Sequence, residues 1–247
     1  MTSKGEAARA RYFEERYAPF WRRQVRTYGL TDWHRRLVRR MLDAAPEGRI
    51  LEVGAGTGYP FATLVAEEGR RIVGTDLARG LLAEGREVMN GVASDARQLP
   101  FPDDSFRLVF CIRSSWYFPD LPRCVLEMLR VLAPGGAMFI DMFSAAAPSN
   151  AFKMAKDVFV WCLRILKSRI SDGRDHGVVL ESRPARVGAM TRRLRARGAS
   201  VDLYDMRGRK WIPLPEASFW TLARFPHVLA VINKTDRHTP PRRSIRP

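Results

Sequence analysis

Cysteine is scarce in this chain: Cys111, Cys124 and Cys162 are the only three in 247 residues, and they are scattered. That excludes a disulfide framework and fits a reducing compartment. Histidine numbers only four, and no histidine, cysteine or carboxylate cluster has metal-ligand spacing, so no metal is expected. Long apolar runs are missing too, and a segment without about 18 consecutive apolar residues does not span a bilayer. Met1 to Arg11 is polar and charged and lacks the apolar stretch of a secretory leader. The cytoplasm is therefore the expected location. No internal repeat is evident. Lysine is rare as well: six of the 42 basic residues are lysine, the rest arginine.

The net charge is +16, and its distribution matters more than its size. Residues 49–149 carry 10 basic and 12 acidic side chains, so the excess lies outside them. An anionic substrate, an anionic membrane surface or nucleic acid would account for it. Solvated helix faces in an arginine-rich proteome would account for it equally. No Asn/Asp-Pro-Pro-Tyr/Phe signature and no appended RNA-binding domain is visible, so nucleic acid is not the expected partner. At 46% apolar and 247 residues, one compact α/β domain with an insertion is the natural architecture.

What the chain does have is a glycine loop. Ile50-Leu51-Glu52-Val53-Gly54-Ala55-Gly56-Thr57-Gly58 reads as a buried strand, then a tight loop, then a helix. Such a crossing cradles a nucleotide. The dinucleotide fingerprint needs its third glycine where Tyr59 stands, and no Gly-Lys-Ser/Thr follows as a P-loop would require. A second strand, Arg71 to Thr75, leads into Asp76, 24 residues after Glu52. An acid at that strand tip offers two acceptor oxygens to the two hydroxyls of a ribose.

The loop preceded by an acid resembles the first motif of the class I S-adenosylmethionine (SAM) dependent methyltransferases. Ala93-Ser94-Asp95-Ala96-Arg97-Gln98-Leu99-Pro100 is similar to the adenine-binding segment of these enzymes, and Leu129 to Asp141 to their helix, Pro-Gly-Gly turn and fifth strand. The resemblance runs from about Arg49 to Phe143, with weaker echoes up to Asn233. It implies a Rossmann-like, seven-stranded, mostly parallel sheet with helices on both faces, an antiparallel edge hairpin and a helical lid insertion. It implies SAM as cofactor, with Glu52, Gly54, Ala55, Gly56 and Gly58 forming its loop. Asp76 and Leu77 would meet the ribose, Asp95 and the Ala96 amide the adenine, and Arg113 the end of the fourth strand. Tyr17, on an N-terminal helix that closes over the cofactor in this family, would reach the methionine carboxylate.

The chain divides accordingly into an N-terminal helical cap (1–48), a SAM-binding core (49–143), a helical lid (144–183), the rest of the core (184–233) and a disordered basic tail (234–247). Strands are expected near 49–53, 71–75, 89–93, 107–112, 136–143, 199–206 and 227–232. Helices are expected near 6–28, 31–45, 59–68, 78–87, 120–132, 151–170 and 184–197. The 151–170 helix is amphipathic, with Lys153, Lys156 and Lys167 on one face. Its apolar face packs over a pocket as a lid or lies on an anionic membrane.

The family often has histidines after the fourth strand. This chain has Arg113-Ser114-Ser115-Trp116-Tyr117 there, its clearest departure. A tyrosine of ordinary pKa is a poor base, so Tyr117 is expected to hydrogen-bond or stack on the substrate rather than take its proton. His176, in the loop after the lid helix, is the expected base; His34, His227 and His238 are expected to be structural or exposed. Trp116, Trp161 and Trp211 are expected to wall the substrate pocket with Tyr117. The expected activity is methyl transfer to an O, N or C atom of a small molecule, in bacterial secondary metabolism. Two alternatives are transfer to a membrane-bound quinone or lipid, and a SAM-fold protein that binds without transfer.

Overall fold

The computed structural model describes residues 10–19, 21–23, 29–45, 47–150, 152, 184–206 and 211–235. Apart from residue 152, the segment 151–170 expected as a helix, with Trp161, lies outside them, as do the loop that carries His176 and nearly all of the basic tail.

Strands β1 (Ile50–Val53), β2 (Ile72–Asp76), β3 (Asn90–Ala93), β4 (Phe106–Cys111) and β5 (Leu132–Phe143) run parallel in the spatial order β3-β2-β1-β4-β5. Beyond β5 lie β8 (His227–Lys234), β6 (Ala199–Asp205) and β7 (Ile212–Pro213), each antiparallel to its neighbour. The sheet therefore has eight strands where seven were expected. The extra one is two residues, Ile212 and Pro213, paired on Tyr204 and Asp205 at the edge, where proline tolerates the missing N–H.

The central strands are apolar because both faces are covered: all four residues of β1 are buried. Alternation sends Leu51, Val109, Met138 and Ile140 to one face, under helices α4 (Leu121–Val131) and α5 (Val187–Arg195). Ile50, Leu108, Phe110 and Phe139 go to the other, under α1 (Asp32–Ala44) and α2 (Phe61–Glu67). The short helix α3 (Arg79–Glu84) follows β2, and α6 (Phe219–Arg224) precedes β8.

Local chemistry sets the ends. The Thr31 backbone N–H donates to His34 Nδ1 at the start of α1, which leaves His34 buried and structural as expected. Asp120 caps α4 by accepting from the Arg123 amide at 3.2 Å. Strand β8 extends through Lys234, which was expected in the tail. Its ammonium reaches Asp104 Oδ1 at 2.6 Å and the Leu132 carbonyl at 2.7 Å. The helix expected over 6–28 contains a π-helical turn, Phe13–Tyr17, a geometry frequent at functional sites.

Candidate cofactor and acceptor site

The carboxyl ends of β1, β2, β3 and β4 open into one cavity of about 960 Å³, counting its mouth. Ligands of open parallel sheets bind at this edge. Of the residues expected at the site, Glu52, Gly54, Ala55, Gly56, Asp76, Leu77, Asp95, Ala96, Arg113, Tyr117 and Tyr17 all line it.

The loop after β1 is shaped from within. The amides of Gly54 and Ala55 donate to the Thr75 carbonyl at 2.7 and 2.9 Å, and that of Gly58 to the Ala55 carbonyl at 2.8 Å. The Gly56 amide donates to Asp76 Oδ2 at 2.9 Å. Four amides that would cradle a pyrophosphate are thus already engaged, which argues against a dinucleotide. Gly54 has φ +79°, and a Cβ there would stand 2.6 Å from that of Ser114, so no other residue fits. Gly58, expected at the cofactor, is not part of the cavity wall. A Cβ there would press on Ala62, Val88 and Met89 at 3.1–3.2 Å, so it packs the loop on its neighbours.

Carboxylates take the place of an anion nest. Asp76 accepts the Gly56 and Ala78 amides, one on each oxygen at 2.9 Å, and the Leu77 amide as well. Burial raises its pKa against the pull of those amides. Glu52 is buried, bonded to the Ala62 amide, and its Oε2 has no partner among the described residues. Burial, then the charge of Asp76, pushes its pKa well up. An orphaned buried carboxyl oxygen in a cavity wall is costly unless a ligand completes it. Ser94 Oγ, in the same wall, is likewise unpartnered among the described residues. SAM, with hydroxyls, an ammonium and a sulfonium but no phosphate, fits these groups.

Asp95 is held by Arg97, which the sequence did not single out. The guanidinium reaches Oδ2 at 2.5 Å, and the Arg97 amide reaches Oδ1 at 2.8 Å. The Asp95 carboxylate is thereby fixed in orientation at the tip of β3.

Aromatic rings form the roof. Tyr17 donates its hydroxyl to that of Tyr117 at 3.1 Å, and the two rings meet edge to face with centroids 5.2 Å apart. Phe13 packs edge-on against both, and Trp21 lies parallel to Tyr17 at 6.4 Å. The Arg113 guanidinium sits over Trp21 at 5.4 Å. Arg113 itself has φ +65°, rare for a non-glycine residue and a mark of strain held by its surroundings. Its amide donates to Asp141 Oδ1 at 2.8 Å, and Ser114 Oγ donates to the Gly54 carbonyl at 2.8 Å.

Two of the expected pocket residues do not line this cavity. Trp211 lies under the Arg40 guanidinium at 4.4 Å and against Tyr204, pinning α1 to the sheet's far edge. It is an exposed-edge packing residue because the β6–β7 pairing carries it away from the strand tips. Trp116 turns its ring from the cavity toward β5 and β8, stacking on Phe143 at 4.6 Å beside His227. His227, expected to be structural or exposed, bonds Asp141 Oδ2 through Nε2 at 3.1 Å. One signal in the sequence pointed there: Asp141 interrupts the buried apolar run Met138–Met142, and a buried carboxylate needs partners.

A methyltransferase domain model matches residues 51–140. The chain contains a class I SAM-dependent methyltransferase domain. SAM is the cofactor of that domain. Methyltransferase GfsG of Streptomyces halstedii is 33% identical over 108 residues, 40% of this chain and 39% of that protein. Demethylmenaquinone methyltransferase of Thermus thermophilus is 35% identical over 136 residues, 51% of this chain and 60% of that protein. The chain spans about half the length of the curated relatives it matches. Among solved structures, a Thermotoga maritima SAM-dependent methyltransferase, described as a possible histamine N-methyltransferase, superposes with a TM-score of 0.55. It is 17% identical and covers 92% of this chain and all of that one, a likeness of fold.

Proposed function

We propose that this methyltransferase domain carries a methyl group from SAM to a small molecule of bacterial secondary metabolism. One observation carries the proposal: a roofed cavity at the strand tips whose wall holds the unpartnered Glu52 Oε2, beside a loop whose amides are already engaged. SAM supplies a methyl already activated on a sulfonium. The protein's part is then alignment and water exclusion, worth roughly 7–11 kcal/mol when the reacting atoms are held near contact. Residues 1–48 act as the cap, since Phe13, Tyr17 and Trp21 line the cavity. We assign the lid over the acceptor to residues 144–183, with Trp161 in its wall; residues 153–183 lie outside the described residues. Glu14 fastens the cap by accepting the Gly80 amide at 3.2 Å, and Arg22 pairs with Glu84.

Calorimetry with SAM and with S-adenosylhomocysteine, followed by incubation with methyl-labelled SAM and a metabolite extract, tests the proposal. A transferred label supports it; tight binding with no transfer favours a SAM-fold binding protein instead. Failure to bind SAM overturns both.

A second function has its own support. Phe219 and Trp220 are 62% and 81% exposed on α6, and one relative is a demethylmenaquinone methyltransferase. Aromatic side chains of this kind favour a membrane interface, where a quinone acceptor would be found. Among the described residues no helix is long and apolar enough to cross a membrane. Flotation with anionic vesicles tests this; a protein left at the bottom of the gradient counts against it.

A further inference from the structure

We propose that His227 is the base that takes the acceptor's proton, and that the acceptor is an alcohol or phenol laid against Trp116 and Phe143. The proposal rests on the methyl-transfer function above.

The strand pairing puts the imidazole on the correct side. Phe143 pairs with His227, three residues beyond the point where Ile140 pairs with Cys111, the last residue of β4. Both therefore stand past the strand tips, on the edge where the cavity opens. Asp141 joins the two places: Oδ1 accepts the amide of Arg113, a cavity residue, and Oδ2 accepts His227 Nε2. Trp116 bridges the same gap with its ring, centroids 5.9 Å from Tyr117 and 6.2 Å from His227. Phe143 lies 4.9 Å from the imidazole, making the flat apolar wall that an aromatic acceptor uses.

The position of His227 is held on every side. Its carbonyl accepts the Met206 amide at 3.0 Å. The buried Asn150 side chain donates to the carbonyls of Ser144 and Pro226 at 2.9 and 2.7 Å, locking the turn just before it. Asp141 is fully buried, and His227 keeps about a quarter of its side chain exposed.

Tautomer follows from geometry. A carboxylate only accepts, so the hydrogen of a neutral His227 sits on Nε2 and points at Asp141. Nδ1 then carries the lone pair, and it makes no hydrogen bond among the described residues. In the transfer step an acceptor oxygen lone pair forms the bond to the methyl carbon. The carbon–sulfur bond breaks, its electrons passing to sulfur. The hydroxyl proton moves to Nδ1, and the imidazolium later returns it to water. Asp141 acts as a positioning residue that steadies the imidazolium.

The test uses the full chain, methyl-labelled SAM and a panel of phenols, hydroquinones and alcohols alongside the matching amines. Transfer to a hydroxyl compound is expected, with His227→Gln lowering kcat about 10²–10⁴-fold while SAM affinity by calorimetry and the acceptor KM stay near wild type. Imidazole added to His227→Ala restores part of the rate. Asp141→Asn gives a sharper readout. The Arg113 amide claims its oxygen, so its NH₂ faces Nε2 and drives the ring hydrogen to Nδ1. Nitrogen-15 NMR of the imidazole then shows the Nε2–H tautomer in wild type and Nδ1–H in the variant, with kcat lost in step. Wild-type turnover in His227→Gln, transfer to amines alone, no transfer to any hydroxyl compound, or an Nδ1–H tautomer in wild type each overturns the assignment. Loss of SAM binding by the wild-type protein would instead remove the function it rests on.

Discussion

The two halves of the site are built differently. The cofactor half is made of groups that are neighbours in sequence or one strand apart: a glycine loop closed by its own amides, and carboxylates at consecutive strand tips. The acceptor half is made of side chains brought together by antiparallel pairing, His227 and Asp141 lying 86 residues apart. A backbone cradle needs a fixed spacing of glycines and acids, so the same ligand demands the same string. An acceptor wall needs only rings and a base at one place in space, and many strings supply that. Binding of SAM and choice of acceptor are therefore expected to respond to separate substitutions.

Asp76→Ala applies the heaviest blow to the cofactor half. It removes the carboxylate expected to meet the ribose and releases the Gly56, Leu77 and Ala78 amides that it holds. SAM affinity is expected to fall by about 1–3 kcal/mol, roughly 5–150-fold by calorimetry, with the imidazole tautomer of His227 unchanged. Equal affinity in the variant would remove Asp76 from the cofactor, and a shifted tautomer would show that the halves are one unit.

Glu52→Gln separates stability from binding within the cofactor half. Burial raises the Glu52 pKa above its unfolded value. Between the ordinary carboxylate range and that raised value the native state holds the proton that the unfolded chain has lost, so stability falls as pH rises. Glutamine has no charge to bury. The variant's Tm without ligand is expected to exceed wild type at neutral pH, with the gap closing toward acid. SAM affinity is expected to drop, because a cationic ligand can draw the proton off Glu52 and gain a carboxylate partner, which an amide cannot become. A Tm gap that widens toward acid, or affinity that rises, contradicts this account.

What the sequence shows follows the same division. The parallel core and the strand tips were readable from β1 to β5, and all but one of the residues expected there at the cofactor line the cavity, because periodicity and the Gly-Ala-Gly loop constrain them locally. Gly58 is the exception, since a loop glycine that packs and one that faces a ligand look alike in a string. Trp211 could not be placed, because a tryptophan's direction depends on pairing register and turn geometry, not on its own neighbours. His227 looked unremarkable at the start of a strand. Only the register Phe143–His227 brings it to the carboxylate two residues earlier on β5.

The seam between the halves is the Tyr17–Tyr117 hydroxyl pair, and Tyr17→Phe probes it with the smallest change. The ring contacts of Tyr17 with Phe13, Trp21 and Tyr117 survive the substitution, and the hydrogen bond to the Tyr117 hydroxyl is lost. One neutral hydrogen bond contributes about 0.5–1.5 kcal/mol, so SAM affinity is expected to weaken about 2–10-fold with kcat for an acceptor little changed. Burial, reinforced by Tyr117, lifts the Tyr17 phenol above its usual value, so its proton stays in place at neutral and mildly alkaline pH. The affinity gap between variant and wild type is therefore expected to stay constant across that range. A fall in kcat without a change in affinity would move Tyr17 out of the cofactor roof and into the acceptor wall, and the division between the halves would have to be redrawn.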